Sequence, residues 1–131
     1  MQHTLLEFIR TSALATVICL LLSIAPGISA ANEVDVVRVK VHKSGPGVYR
    51  FDVTLRHKDI GWKHYANAWE VLTPDGKILD TRILAHPHVN EQPFTRSLSG
   101  VKIPMDIKAV TIRARDLVHE YGGKTMIVKL P

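Results

Sequence analysis

The chain has 131 residues, a formal net charge of +5 and a single cysteine. That length holds one core and a leader but not two domains, and one cysteine rules out an internal disulfide. The positive charge is dispersed, with no basic stripe interleaved with aromatics, which excludes the usual footprint of a nucleic-acid-binding surface.

Residues 1–30 read as a secretory signal peptide. Arg10 precedes an apolar run from Ala13 to Ala25, and Pro26-Gly27-Ile28-Ser29-Ala30 closes it with a helix breaker and small residues. The run is too short for a membrane span, and cleavage is expected after Ala30 or Ala31. Cys19 lies inside the run and leaves with it, so the mature domain, residues 31–131, is expected to carry no thiol and no membrane span. Its expected location is periplasmic or secreted. Removing the leader takes away Arg10 and Glu7 and leaves the charge unchanged.

The mature chain alternates apolar and polar residues with period two, the mark of half-buried strands. Val37, Val39 and Val41 are expected on one face of a first strand, with Arg38, Lys40 and His42 on the other. Ser44-Gly45-Pro46-Gly47 turns it into a second strand in which Tyr49, Phe51, Val53 and Leu55 point inward. A third strand spans 66–72, with Trp69 and Val71 inward, and Thr73-Pro74-Asp75-Gly76 leads to a fourth over 77–84. The loop 85–93 precedes a fifth strand, 94–103, bulged at Gly100. A sixth runs over 109–118 with Val110, Ile112 and Ala114 inward, and Tyr121-Gly122-Gly123-Lys124 turns into a seventh over 125–130. Seven short strands without a helical period predict an all-β fold, an immunoglobulin-like seven-strand antiparallel sandwich.

If successive strands run antiparallel, the connections after the second, fourth and sixth share one end of the sandwich. Those connections carry His57 and His64, His86 and His88, and His119, whereas His42 falls at the opposite end. Convergent imidazoles are the commonest protein ligands for transition metals. The His86-Pro87-His88 spacing puts two side chains on one side of a stiff extended segment. Glu91 and Glu120 accompany the histidines, Glu91 as a further candidate ligand. The candidate metal ligands are therefore His57, His64, His86, His88, His119 and Glu91. All-nitrogen coordination suits Cu(II), Zn(II) or iron, with iron or copper expected in preference to zinc, and the lack of a thiolate argues against a dedicated Cu(I) site.

Lys63-His64-Tyr65, then Trp69-Glu70-Val71-Leu72 and Asp75-Gly76-Lys77, resembles a stretch of the superoxide reductases, the desulfoferrodoxin and neelaredoxin family. The resemblance covers about a quarter of the mature chain. It implies a small immunoglobulin-like sandwich with a mononuclear iron at one pole, and it places His57 and His64 where two iron ligands stand. The family has Cys-Asn-x-His near its C-terminus, where this chain has Val118-His119-Glu120-Tyr121-Gly122. A histidine persists there, but the axial thiolate is gone, and with it the electron donation that family's reaction relies on.

Three functions follow. The first is an exported metal-binding protein that either carries the ion to a partner or holds it for redox chemistry. The second is an iron- or copper-dependent oxidoreductase of the superoxide reductase type without its axial cysteine. The third is a periplasmic protein-interaction module that uses the same loops, with Trp62, Tyr65, Phe94 and Tyr121 as anchors for a protein partner. A serine hydrolase finds no support, because Ser97 and Ser99 lack a nucleophile-elbow context.

Overall fold

A computed structural model describes residues 32–131. The leader assigned to residues 1–30, Cys19 included, lies outside them. Seven strands follow in order: β1 (Asp35–Gly45), β2 (Val48–Arg56), β3 (Ala66–Leu72), β4 (Ile78–Ile83), β5 (Phe94–Lys102), β6 (Ala109–Asp116) and β7 (Met126–Lys129). They form two antiparallel sheets, β1-β2-β5 and β4-β3-β6-β7, packed face to face as a β-sandwich. No described residue is helical, and none belongs to a helix long and apolar enough to cross a membrane.

The core follows from the inward registers. Tyr49, Phe51, Val53 and Leu55 of β2 meet Trp69 and Val71 of β3 and Val110, Ile112 and Ala114 of β6. Phe51, Val53, Leu55, Trp69, Val71 and Ile112 are fully enclosed, while Val39 of β1 and Val128 of β7 are only partly buried at its margin. The outer strands β1, β4, β5 and β7 each have one sheet neighbour, so their side chains are less completely covered.

Two bulges adjust these registers. In β1, Val36 pairs with Leu55 and Arg38 with Thr54, so Val37 is an extra residue between them. Val36 therefore takes the inward place on the near side of the bulge, and Val37, expected to begin the inward series, is only half-buried. In β5, Tyr49 faces Val101 and Phe51 faces Leu98, which leaves Ser99 and Gly100 opposite Arg50. Gly100 adopts φ 68°, the left-handed conformation that a glycine bulge supplies without a Cβ clash.

The strand ends fall slightly inside the expected limits for β4, β5, β6 and β7, and β6 stops at Asp116 rather than Val118. The cause is a turn in which Asp116 and Glu120 bond each other's backbone, Glu120 taking φ 59°. Connections 57–65, 84–93 and 117–125 meet at one pole, and the β1–β2 turn, with His42 near it, lies at the other.

Trp69→Ala removes a fully enclosed indole from the centre of this core and is expected to lower the unfolding free energy by about 3–5 kcal/mol in urea titrations. Ile83→Ala, at an exposed position of β4, is expected to stay within about 0.5 kcal/mol of the parent.

Candidate functional site

The pole is built by extending the core's own registers. The inward series of β2 runs past Leu55 into His57 and Asp59, and that of β6 runs past Ala114 into Asp116. His64, just before β3, is buried as well. Four ionisable side chains thus occupy positions where the pattern calls for apolar ones, and each must find partners without water.

Asp59 is met on both oxygens. Its Oδ1 accepts from the Ala66 backbone N–H at 2.9 Å and stands 2.5 Å from His57 Nδ1. Its Oδ2 accepts from the His88 backbone N–H at 2.7 Å. One carboxylate therefore ties the 57–65 loop to the start of β3 and to the 84–93 loop. The other nitrogen of His57, Nε2, lies 2.7 Å from the Asn32 carbonyl. Each ring nitrogen therefore stands against an oxygen, which fixes the plane of the imidazole.

Asp116 is satisfied on one side only. Its Oδ1 accepts from the backbone N–H groups of Val118 at 2.8 Å and His119 at 2.7 Å, an aspartate turn that folds the 117–125 loop back over it. His64 Nε2 donates to the same oxygen at 3.1 Å, and His119 Nδ1 lies 3.3 Å away. Oδ2 is buried with no hydrogen-bond partner. Burial pushes the Asp116 carboxyl up, but the two backbone donors and the neighbouring imidazoles outweigh it and hold the group below the ordinary carboxylate range. Oδ2 is therefore a buried acceptor on an anionic group, left open while two imidazoles stand at Oδ1.

His57, His64 and Asp116 form a group whose potential ligand atoms lie within 4.8 Å of one another. The His57 and His64 rings meet edge to face at 4.8 Å, and His119 sits 5.0 Å from His64. Asn32 closes the group from above, its side-chain amide donating to His64 Nδ1 at 3.3 Å. The close approach of Gly123 to Val34 holds that segment down: a Cβ on Gly123 would stand 1.8 Å from the Val34 carbonyl oxygen. Tyr121 pins the same loop from outside, donating to Glu70 at 2.7 Å beneath the Arg113 guanidinium.

His86, His88 and Glu91 form a second group on the far side of Asp59. His86 is exposed, with its ring 4.7 Å from that of His88. His88 is buried, stacks on Phe94 at 3.9 Å, and meets Arg96 Nη2 with its Nε2 at 2.9 Å. Arg96 also pairs with Glu91. Here a guanidinium already occupies the place a cation would take. Burial, reinforced by the charge of Arg96, holds the His88 imidazole below its ordinary pKa.

The structure thus brings His57, His64 and His119 together and sets His88 and Glu91 against an arginine, with His86 beside the His88 ring. Asp59 and Asp116 are the residues a histidine count overlooks. Their signal in the sequence is periodic: each continues an inward alternation beyond its last apolar member.

Over 97 residues, 74% of the chain, the protein is 40% identical to a protein of the archaeon Halomicrobium mukohataei named "Putative lipoprotein". The chain spans about half the length of that relative, 47%. No family model matches the chain, and no solved structure gives a significant match.

The lowered His88 pKa has a definite sign in stability. Between the unfolded value near 6.5 and the lower folded value the unfolded chain binds more protons, so stability is complete above about pH 6.5 and falls as pH drops through that window. His88→Gln is expected to flatten this part of the profile, as read by urea midpoints measured from pH 7.5 down to pH 5.

Proposed function

We propose that the chain is an exported metal-binding protein with an immunoglobulin-like sandwich, its ion held at one pole by His57, His64 and Asp116 with His119 alongside. The observation that carries this reading is the buried group itself, in which Asp116 Oδ2 has no hydrogen-bond partner. A cation there would supply the partner that oxygen lacks. Asp59 behind His57 supports the same reading. A carboxylate on one imidazole nitrogen fixes the ring and raises the basicity of the other, the usual support for a metal-bound histidine.

Two imidazoles and one carboxylate are the donor set of non-haem Fe(II) sites, and imidazoles also suit Cu(II) and Zn(II). Iron or copper fits in preference to zinc, and either would supply one-electron redox chemistry when bound. The chain's own residues orient the rings through Asp59 and Asp116 and keep the group under Asn32. The sequence resemblance to superoxide reductases, read from Lys63-His64-Tyr65 and Trp69-Glu70, would place His57 and His64 as ligands, while Val118-His119 stands where that family carries its cysteine. Binding or storage of the ion is accordingly favoured over that family's reaction.

Residues 1–30 are assigned as a secretion signal preceding one domain. The name of the archaeal relative, a lipoprotein, supports a cell-envelope location. Intact mass of the protein recovered from outside the cytoplasm is expected to show loss of the first 30 or 31 residues. Retention of Met1 would remove the export assignment.

A protein partner is a second reading of the same pole. Ile60, Trp62, Val89 and Val118 are each more than half exposed on its three loops, whereas Phe94 is buried beneath His88 and offers no anchor.

Calorimetric titration of the metal-free protein with Fe(II), Cu(II) and Zn(II) at pH 7.5 tests the metal centre. One ion per chain is expected, with proton release and with affinity falling as pH drops below about 6.5. His64→Ala or Asp116→Ala should abolish stoichiometric binding, Asp59→Asn should weaken it about 10–100-fold, and His42→Ala should leave it unchanged. Persistence of the site in both His64→Ala and Asp116→Ala would transfer the pole to the protein-partner reading.

A further inference from the structure

The outward face of the β1-β2-β5 sheet carries a second arrangement, unrelated to the histidine pole. Cross-strand register places Arg38 opposite Thr54, Lys40 opposite Asp52, Asp52 opposite Ser97 and Thr54 opposite Thr95. These residues, with Arg50, line an open recess of about 310 Å³.

Its floor is an ordered polar network. Ser97 donates to Asp52 Oδ1 at 2.5 Å and Arg50 Nε donates to the same oxygen at 3.0 Å, while Arg50 Nη2 reaches Ser97 Oγ at 3.3 Å. His42 Nε2 lies 3.2 Å from Asp52 Oδ2. The Asp52 charge is therefore already matched by Arg50. Thr54 and Thr95 share a hydrogen bond of 2.7 Å, in which one hydroxyl donates and the other keeps its hydrogen free. Arg38 and Lys40 take part in no ion pair or side-chain hydrogen bond among the described residues. Two like charges, two residues apart on one strand face, are thus left uncompensated beside a free hydroxyl donor and the acceptor lone pairs of Asp52.

We propose that this recess binds an acidic sugar, its carboxylate or phosphate held by Arg38 and Lys40 and its hydroxyls by Asp52 and the Thr54–Thr95 pair. The oxyanion follows from two unpaired cations beside a hydroxyl. The hydroxylated carrier follows from the acceptor at the floor, which a bare anion would find repulsive. It follows also from size: at roughly 30 Å³ per water, the recess holds about ten water volumes, more than one oxyanion fills. The site is independent of the metal reading and does not require it.

Heteronuclear NMR titration of the mature protein in buffered 100 mM chloride tests the proposal, with glucuronate, glucose 6-phosphate, inorganic phosphate and glucose as probes. Saturable shifts at Arg38, Lys40, Thr54, Thr95 and Ser97 are expected with glucuronate, glucose 6-phosphate or both, and none with glucose. The double variant Arg38→Ala/Lys40→Ala, with an unchanged spectrum elsewhere, should weaken that binding about tenfold or more. Thr54→Val/Thr95→Val should weaken it while leaving the cations in place. Inorganic phosphate binding as tightly as either sugar would overturn the sugar assignment. The absence of saturable binding by any anion, or binding undiminished in the arginine–lysine double variant, would overturn the site.

Discussion

Everything at the histidine pole depends on two carboxylates placed where water cannot reach them. Burying a carboxylate costs several kcal/mol unless donors surround it. Asp59 meets that demand by recruiting backbone N–H groups from two other segments, Ala66 and His88, as well as the His57 ring. Asp116 recruits the turn that follows it, and so determines where His119 stands. The loops converge because these oxygens require it, and the histidines are aligned as a by-product of the same bonds.

The two carboxylates differ in a way that separates structure from chemistry. Asp59 has donors on both oxygens, and its role is complete as a brace. Asp116 has donors on Oδ1 and nothing on Oδ2, although both oxygens are enclosed. A purely structural carboxylate would gain by turning its second oxygen toward solvent or a donor. Backbone bonds at 2.7 and 2.8 Å fix Asp116 so that it cannot turn away, which leaves Oδ2 enclosed without a donor.

Much of the fold was legible because period-two alternation reports directly which side chains a sheet buries. β2 and β3 have the limits and faces their patterns indicate, and Gly100 marks a bulge that only a residue at positive φ makes easily. Val37 misleads because a bulge shifts phase without changing composition: Val36-Val37 offers two equivalent apolar residues, and only the pairing with Leu55 and Thr54 shows which one is extra. The site was half legible. Loop polarity is a topological property, so His57, His64 and His119 could be assigned to one end. Loop direction is not, and nothing in His86-Pro87-His88 discloses that Arg96, eight residues beyond His88, sits against its ring nitrogen.

That arginine also gives the pole its asymmetry. Asp59 stands between the two histidine groups, bonded to His57 by Oδ1 and 3.9 Å from His88 Nδ1 by Oδ2. On one side of it lies an unfilled acceptor, on the other a permanent cation. A metal ion approaching His88 meets guanidinium repulsion at close range in a poorly screened site, where like charges are most costly. An ion approaching Asp116 meets the unpartnered Oδ2 of a carboxylate that its surroundings hold in the charged form. The same five-histidine pole is therefore divided by charge into a half that repels cations and a half that attracts them. The division is made by Arg96 and Asp116, neither of which a search for ligand spacing would single out.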